Sequence, residues 1–328
     1  MSQKSLQDRF GRTIEYLRLS VTDQCDLRCF YCMPRGFSDY ELPEHWLTEE
    51  EIERVVGAFT RLGTRRVRIT GGEPLVRRGI DDIASRLAAL PGLEDLSLST
   101  NAVRLARHAR SLHEAGVRRI NVSLDTLRPE RFREITGGKL SKVLDGLQAA
   151  REAGFSPVKI NMVVMRGVND DEVEAMVAFC MEMGFTLRFI ETMPVGDTGR
   201  RAQDHFMPLD DIRRRLEQRF DLTPGLMPGG GPARYLKVAG SDLNIGFITP
   251  MSQHFYDTCN RVRLGVDGTL HLCLGQSHSV PLRPLLRAGA SDTELEGEIR
   301  RAIELKPERH EFNERPEQVI RFMSMTGG

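Results

Sequence analysis

Three cysteines fall within eight residues, Cys25, Cys29 and Cys32. A Cys-x3-Cys-x2-Cys run puts three thiolates on one short loop. A 4Fe-4S cube held by three cysteines keeps one iron without a protein ligand, and that iron can take an exogenous chelating group. A zinc site or a set of reduced thiols fits the same spacing. Tyr31 precedes the third cysteine, and polar or glycine-rich groups recur downstream: Thr70-Gly71-Gly72-Glu73-Pro74, Ser99-Thr100-Asn101, Ser123-Leu124-Asp125, Lys159 and the stretch 188–193. Taken singly, Gly-Gly-Glu-Pro reads as a turn, and Ser123 or Asp125 as the cap of a following helix. Taken together, the glycines can let the backbone approach a ligand's amino-acid moiety.

The elements that must position these groups are legible in the hydrophobic pattern. Short β-branched or leucine-rich runs at 14–20, 66–70, 96–100, 120–124, 158–164 and 187–190 read as six strands, and amphipathic stretches between them read as helices. The helix over 49–62 carries a capping box, Thr48 with Glu51, and an apolar stripe of Ile52, Val55, Val56 and Phe59. A helix after Asn169 buries Val173, Met176, Val177 and Cys180, which makes Cys180 a core residue and not a ligand. Strand-helix alternation predicts an α/β fold, a partial (β/α)6 TIM-like barrel, with the polar groups gathered at the carboxyl ends of the strands. Past Met193 the alternation stops. Residues 223–232, rich in proline and glycine, read as a loop or junction, so the expected domains are 1–222 and a smaller α+β unit at 223–328. Within the latter, 261–273 reads as a hairpin turning at Asp267-Gly268.

Composition narrows the function classes. Lys plus Arg and Asp plus Glu both number 46, so no global field draws the chain to nucleic acid or a membrane surface. An anionic substrate needs locally placed cations. No apolar run approaches the ~18 residues of a membrane span, and residues 1–10 lack the apolar core of a signal peptide. The expected location is cytoplasmic, where six cysteines are better explained as metal ligands or free thiols than as disulfides.

The Cys25/Cys29/Cys32 run with its aromatic residue and the Gly71-Gly72-Glu73-Pro74 loop resemble the radical S-adenosylmethionine superfamily. More narrowly, Tyr16-Leu-Arg18-Leu-Ser, Arg68-Ile-Thr-Gly-Gly-Glu-Pro-Leu75, Asn121-Val-Ser-Leu-Asp125, Lys159-Ile-Asn161, Arg188-Phe-Ile-Glu191, Cys259-Asn-Arg-Val-Arg263 and the terminal Gly327-Gly328 resemble the GTP 3′,8-cyclases of molybdenum cofactor biosynthesis. The resemblance spans essentially the whole chain. It implies cleavage of S-adenosylmethionine, hydrogen abstraction from C3′ of GTP and closure of the ribose on C8. It further implies a first 4Fe-4S cluster on Cys25, Cys29 and Cys32, and S-adenosylmethionine contacts from Tyr31, Gly72, Ser123 and Met193. GTP contacts are implied for Arg18, Arg68, Thr100, Lys159, Arg261 and Arg263. Catalytic roles fall to Arg261, Arg263 and the Gly327-Gly328 tail. The implied partners are a reductant or electron-donor protein and cyclic pyranopterin monophosphate synthase downstream, with a homodimer as a further possibility. Arginine forks and a lysine suit a triphosphate.

The pattern breaks at the second cluster. The family uses Cys-x2-Cys-x13-Cys, and here Cys259 and Cys273 hold the last two positions while Tyr256 stands at the first. Tyr256 as phenolate could ligate iron, His254 could substitute, or the second cluster could be absent, leaving two buried thiols. Gly275 stands where the family usually has phenylalanine, a change expected to loosen nearby packing. Two other readings compete: a diverged paralogue acting on another substrate, and a zinc-stapled binding or regulatory protein.

Overall fold

Side chains alternate between the two faces of a strand, so a run such as Arg66-Val-Arg-Ile-Thr can put Val67 and Ile69 under a covering helix while Arg66 and Arg68 share the opposite face. The computed structural model describes residues 5–34, 36–227, 231–253, 258–310, 312, 314 and 322–327. It forms six parallel strands from these runs: β1 (Tyr16–Ser20), β2 (Arg66–Thr70), β3 (Asp95–Thr100), β4 (Arg119–Ser123), β5 (Val158–Val163) and β6 (Thr186–Ile190). After them come β7 (Leu222–Gly225), β8 (Arg234–Val238), β9 (Asn244–Ile248), β10 (Arg261–Leu264), β11 (Thr269–His271) and β12 (Ser279–Pro281). All join one 12-stranded sheet in the order β12-β11-β10-β1-β2-β3-β4-β5-β6-β9-β8-β7. The sheet does not close on itself, as expected of a partial barrel. Between β10 and β9 every neighbouring pair is parallel, and antiparallel hairpins finish both edges.

Helices cover the apolar face. Glu49–Arg61 starts at the expected capping box, in which the Glu51 amide donates to Thr48 Oγ1 at 3.2 Å and the Thr48 amide donates to Glu51 Oε2 at 2.9 Å. Val173–Met183 buries Val173, Met176, Val177 and Cys180, so Cys180 is a core residue as read. No helix of the described residues is long and apolar enough to cross a membrane.

Two differences from the sequence reading have clear causes. Part of the 223–232 loop is strand: β7 pairs with β8 despite Pro224, which an edge strand tolerates because one of its sides needs no ladder donor. The hairpin at Asp267-Gly268 forms, but its first strand, β10, also lies parallel to β1, with Tyr16 beside Arg261 and Arg18 beside Arg263. Arginines far apart in sequence thereby become neighbours.

Helix Leu140–Glu152 approaches the start of helix Leu105–Glu114 at Gly146, where an added Cβ would stand 2.3 Å from the Ala102 carbonyl oxygen. Alanine is the better helix former by ~1 kcal/mol, whereas overpacking against fixed backbone costs ~1–3 kcal/mol. Gly146→Ala is therefore expected to lower the thermal unfolding midpoint. A midpoint at or above that of the parent contradicts this packing.

Candidate active site

Parallel strands deliver their following loops to one end of the sheet, and the cysteine loop after β1 is fastened there by the loop after β2. The Gly72 amide donates to the Thr22 carbonyl and the Glu73 amide to the Gln24 carbonyl, each at 2.8 Å. A Cβ on Gly72 would stand 2.4 Å from the Gln24 oxygen, so this glycine is required by contact between the two loops, whatever it also does for a ligand. The Glu73 carboxylate is buried and accepts from Thr100 Oγ1 at 2.7 Å, the Asn101 amide at 2.6 Å and the Leu75 amide at 3.1 Å. Burial pushes its pKa up to about 7 against those hydrogen bonds.

Asp125 does not cap a helix, contrary to its bland reading. It accepts from Tyr31 Oη at 2.6 Å and from the Val163 amide at 2.8 Å, tying the cysteine loop to β5. Burial raises Asp125 to about 6 and, with Asp125 opposite, lifts Tyr31 well above the usual phenol range.

Cys25, Cys29 and Cys32 line a cavity of about 320 Å³ bounded also by Tyr31, Gly72, Ser123 and Met193. Burial pushes Cys25 up to about 12 and Cys32 to about 11, and burial with Cys32 nearby lifts Cys29 well above its usual range. Three desolvated thiols at one cavity wall form an all-sulfur donor set that fits an iron-sulfur cluster, with the Glu73 and Asp125 carboxylates close by. Among the described residues no three His, Cys, Asp or Glu side chains form a site for a single metal ion.

Another part of the same cavity is cationic. Arg18, Arg68, Arg188, Arg261 and Arg263 line it, and Tyr16 lies among them. Burial first, then Arg263 and Arg68, depress Arg18 strongly; burial also lowers Arg68, and lowers Arg188 to about 10. Arginine stays protonated at neutral pH even so. The depression registers confinement and repulsion that a bound anion relieves. The buried Nε atoms of Arg18, Arg68 and Arg261 have no hydrogen-bond partner among the described residues.

Thr100 lines the cavity but turns its hydroxyl to Glu73. Lys159 lies one inward-facing position before the cavity-lining Asn161 on β5, 6% exposed, with its ammonium 5.7 Å from the ring centre of Tyr235. Burial, then Arg188, Arg119 and Arg68, push it down to about 7, with Asp95 acting weakly in the other direction. In this geometry it contributes field to the cavity and is not part of its wall.

Cys259 and Cys273 line the cavity near the amino end of β10, opposite the first three cysteines along the strand direction. Lys306 is buried beside them, its Nζ donating to the carbonyls of Leu272 at 2.7 Å and Arg261 at 3.0 Å and lying 3.7 Å from Cys259 Sγ. Tyr256, His254 and Gly328 lie outside the described residues. Gly327 accepts from Arg263 through its carbonyl, and an added Cβ there would collide with Thr70 Oγ1. At Gly275 the expected loosening does not occur, because a Cβ would stand 2.8 Å from His310 Cβ and 3.2 Å from the Phe312 ring.

Sequence reasoning gave no individual role to Tyr16, Arg188 or Glu191, although it counted 188–193 among the strand-end groups. Tyr16 carried a usable signal, since residues two apart on a strand share a face and Arg18 had already been singled out. Glu191 holds down the segment leading to residue 254, accepting from the Met251 and Ser252 amides at 3.0 Å and from the Ser252 hydroxyl.

The comparisons with known proteins agree with this geometry. The radical SAM superfamily model matches residues 19–180, and the Molybdenum Cofactor Synthesis C model matches residues 185–312. The chain is 51% identical to GTP 3′,8-cyclase 1 of Pseudomonas aeruginosa over 98% of each chain, and 48% identical to GTP 3′,8-cyclase 2 of that organism over 100% of each. It is 47% identical to the GTP 3′,8-cyclase of Pseudomonas entomophila over 99% of this chain and 98% of that one. The crystal structure of Streptococcus suis SuiB shares the fold at a TM-score of 0.60 and 18% identity, covering 89% of this chain and 69% of that one. S-adenosylmethionine and a 4Fe-4S cluster are the cofactors characteristic of the superfamily. Full-length identity of this order, together with the cysteine loop and the cationic cavity, shows that the chain belongs to the GTP 3′,8-cyclase family of radical S-adenosylmethionine enzymes.

Proposed function

We propose that this chain converts GTP to (8S)-3′,8-cyclo-7,8-dihydroguanosine 5′-triphosphate, the first step of molybdenum cofactor biosynthesis. One observation carries the reading beyond family likeness: a single cavity has a thiol-rich, carboxylate-bearing end and a floor of buried, incompletely hydrogen-bonded arginines. The two regions suit two ligands of opposite charge. When bound, a cluster on Cys25, Cys29 and Cys32 supplies the electron that cleaves S-adenosylmethionine and so starts the radical reaction. Glu73 and Asp125 lie at that end, where a sulfonium and an ammonium need negative charge. Tyr31, Gly72, Ser123 and Met193 enclose the cofactor.

Arg18, Arg68, Arg261 and Arg263 hold the triphosphate in the middle of the cavity, and the Arg263 contact to Gly327 seats the tail beside it. Thr100 gives its hydroxyl to Glu73 at the cofactor end, and Lys159 acts on GTP through its field. The work is done in the cytoplasm, with electrons from a reductant protein and the product passed to cyclic pyranopterin monophosphate synthase. A zinc staple at the first cysteines is displaced by the family assignment. The paralogue reading keeps one specific support, Tyr256 at a cysteine position, with Cys259 and Cys273 as the remaining ligands.

The test of function is anaerobic reconstitution followed by product analysis with GTP, S-adenosylmethionine and a reductant. Cys25→Ala is expected to reduce 5′-deoxyadenosine formation to background, because the cluster loses one of three anchors. Formation at the parent rate removes the central claim.

Lys159 gives a second prediction. With its pKa near 7 it is mostly neutral at pH 8, and a triphosphate placed nearby favours the ammonium, so GTP binding should take up a fraction of a proton. Calorimetry at pH 8 in buffers of different ionisation enthalpy reads this directly. Uptake should vanish near pH 5.5, where the group is already charged, and should diminish in Lys159→Met. Equal heats in all buffers contradict the assignment.

A third concerns the second cluster. If Tyr256 impairs it, the parent should bind about four irons, or a substoichiometric second cluster, against about eight for two cubes. Tyr256→Cys should then raise iron content and cyclised product together, since a thiolate forms more readily than a phenolate. A parent that already binds about eight irons and cyclises GTP efficiently shows Tyr256 or a neighbour to be a competent ligand.

A further inference from the structure

We propose that Tyr16 is an additional substrate-binding residue, whose phenolic hydroxyl donates a hydrogen bond to a phosphate oxygen of the bound nucleotide. The inference rests on the reading of the arginine floor as the triphosphate site and assigns a contact which that reading does not contain.

Tyr16 opens β1 and projects to the same face as Arg18 two residues later. Its neighbour on β10 is Arg261, and Arg18 lies between Arg263 and Arg68 in the adjoining strands. The tyrosine is 4% exposed and lines the cavity. The guanidinium carbons of Arg68 and Arg261 stand 5.3 and 6.0 Å from its ring centre, within cation-π range. The ring is thus held by two cations, which leaves the hydroxyl to be explained.

That hydroxyl is buried and has no hydrogen-bond partner among the described residues, and the same holds for the Nε atoms of Arg18, Arg68 and Arg261. An unmade hydrogen bond at a buried polar group is costly. Guanidinium groups only donate, so they cannot satisfy one another, whereas a phenol can donate or accept. An oxyanion with several lone pairs is the ligand that accepts from all four at once, and a triphosphate offers many such oxygens. A neutral purine would leave the cations unbalanced.

The electrostatics point the same way. Burial alone would raise the phenol's pKa, but Arg68, Arg18, Arg261 and Arg188 together outweigh it and lower it. A bound phosphate offsets that field. Set between Arg68 and Arg261 with its hydroxyl unpartnered, Tyr16 can offer a phosphate a hydrogen bond that a phenylalanine could not make.

Tyr16→Phe keeps the ring between its two cations and removes only the oxygen. The reconstituted holoenzyme, parent and variant, is titrated anaerobically with GTP, inorganic tripolyphosphate and guanosine, with the thermal midpoint measured alongside. The expected result is a Kd for GTP and for tripolyphosphate raised ~10-fold or more, the size of a lost hydrogen bond to a charged group. Guanosine binding and the midpoint should stay unchanged, and KM for GTP should rise with little change in kcat. A purely structural tyrosine would not separate phosphorylated from unphosphorylated ligands. If Arg261→Ala weakens GTP binding and Tyr16→Phe does not, the Tyr16 contact is wrong and the triphosphate reading stands. If the parent binds tripolyphosphate but not GTP, the substrate reading falls, and the Tyr16 contact is decided by the tripolyphosphate ratio. If the parent binds neither, both are overturned.

Discussion

Mutual repulsion among Arg18, Arg68, Arg188, Arg261 and Arg263 is the constraint around which this molecule is arranged. Taking a charge out of water costs several kcal/mol per ion even after relaxation, and here five like charges line one cavity. Polar side chains offset part of that cost, as where Arg188 Nε donates to Asn161 Oδ1 at 2.8 Å, but the Nε atoms of three of the arginines stay unpartnered within the described residues. The rest is borne by a large apolar core beneath the helices, which keeps β10, β1 and β2 in register whatever the arginines prefer. A site strained in this way favours a polyanion over any neutral ligand.

The sheet turns this local cost into a directional site. β1 is five residues long, about 17 Å at ~3.3 Å per residue. Thiols follow its carboxyl end at Cys25, whereas Cys259 precedes the amino end of the adjacent β10. The two sulfur groups therefore occupy opposite ends of one cavity with the arginines between them. At the carboxyl end the loops are held to one another by Glu73 and Asp125, so the cysteine loop is positioned by the strands that follow it and by its own residues only in part.

Much of this was legible in the sequence because periodicity and spacing are local properties. The six strands expected from the sequence lie within about two residues of their expected positions, the Thr48-Glu51 capping box forms, and Cys180 packs in the core. The convergence of strand-end groups on one mouth also follows locally, since parallel strands share a direction. The resemblance added residue roles that pattern alone did not reach. Thr100 shows its limit, because a hydroxyl placed in the site by motif is spent on Glu73.

By itself the sequence determined the strand-helix alternation, the all-sulfur loop at Cys25, Cys29 and Cys32, and the need for local cations in a chain with no net charge. Only the tertiary structure decided which cations meet. Tyr16 and Arg261 are adjacent because β10 lies parallel to β1, and strand pairing depends on contacts between segments hundreds of residues apart that no local periodicity encodes. For the same reason the core role of the loop glycine Gly72, the filling of space at Gly275 by Phe312 and the burial of Lys306 beside Cys259 emerged only when distant backbone was brought together.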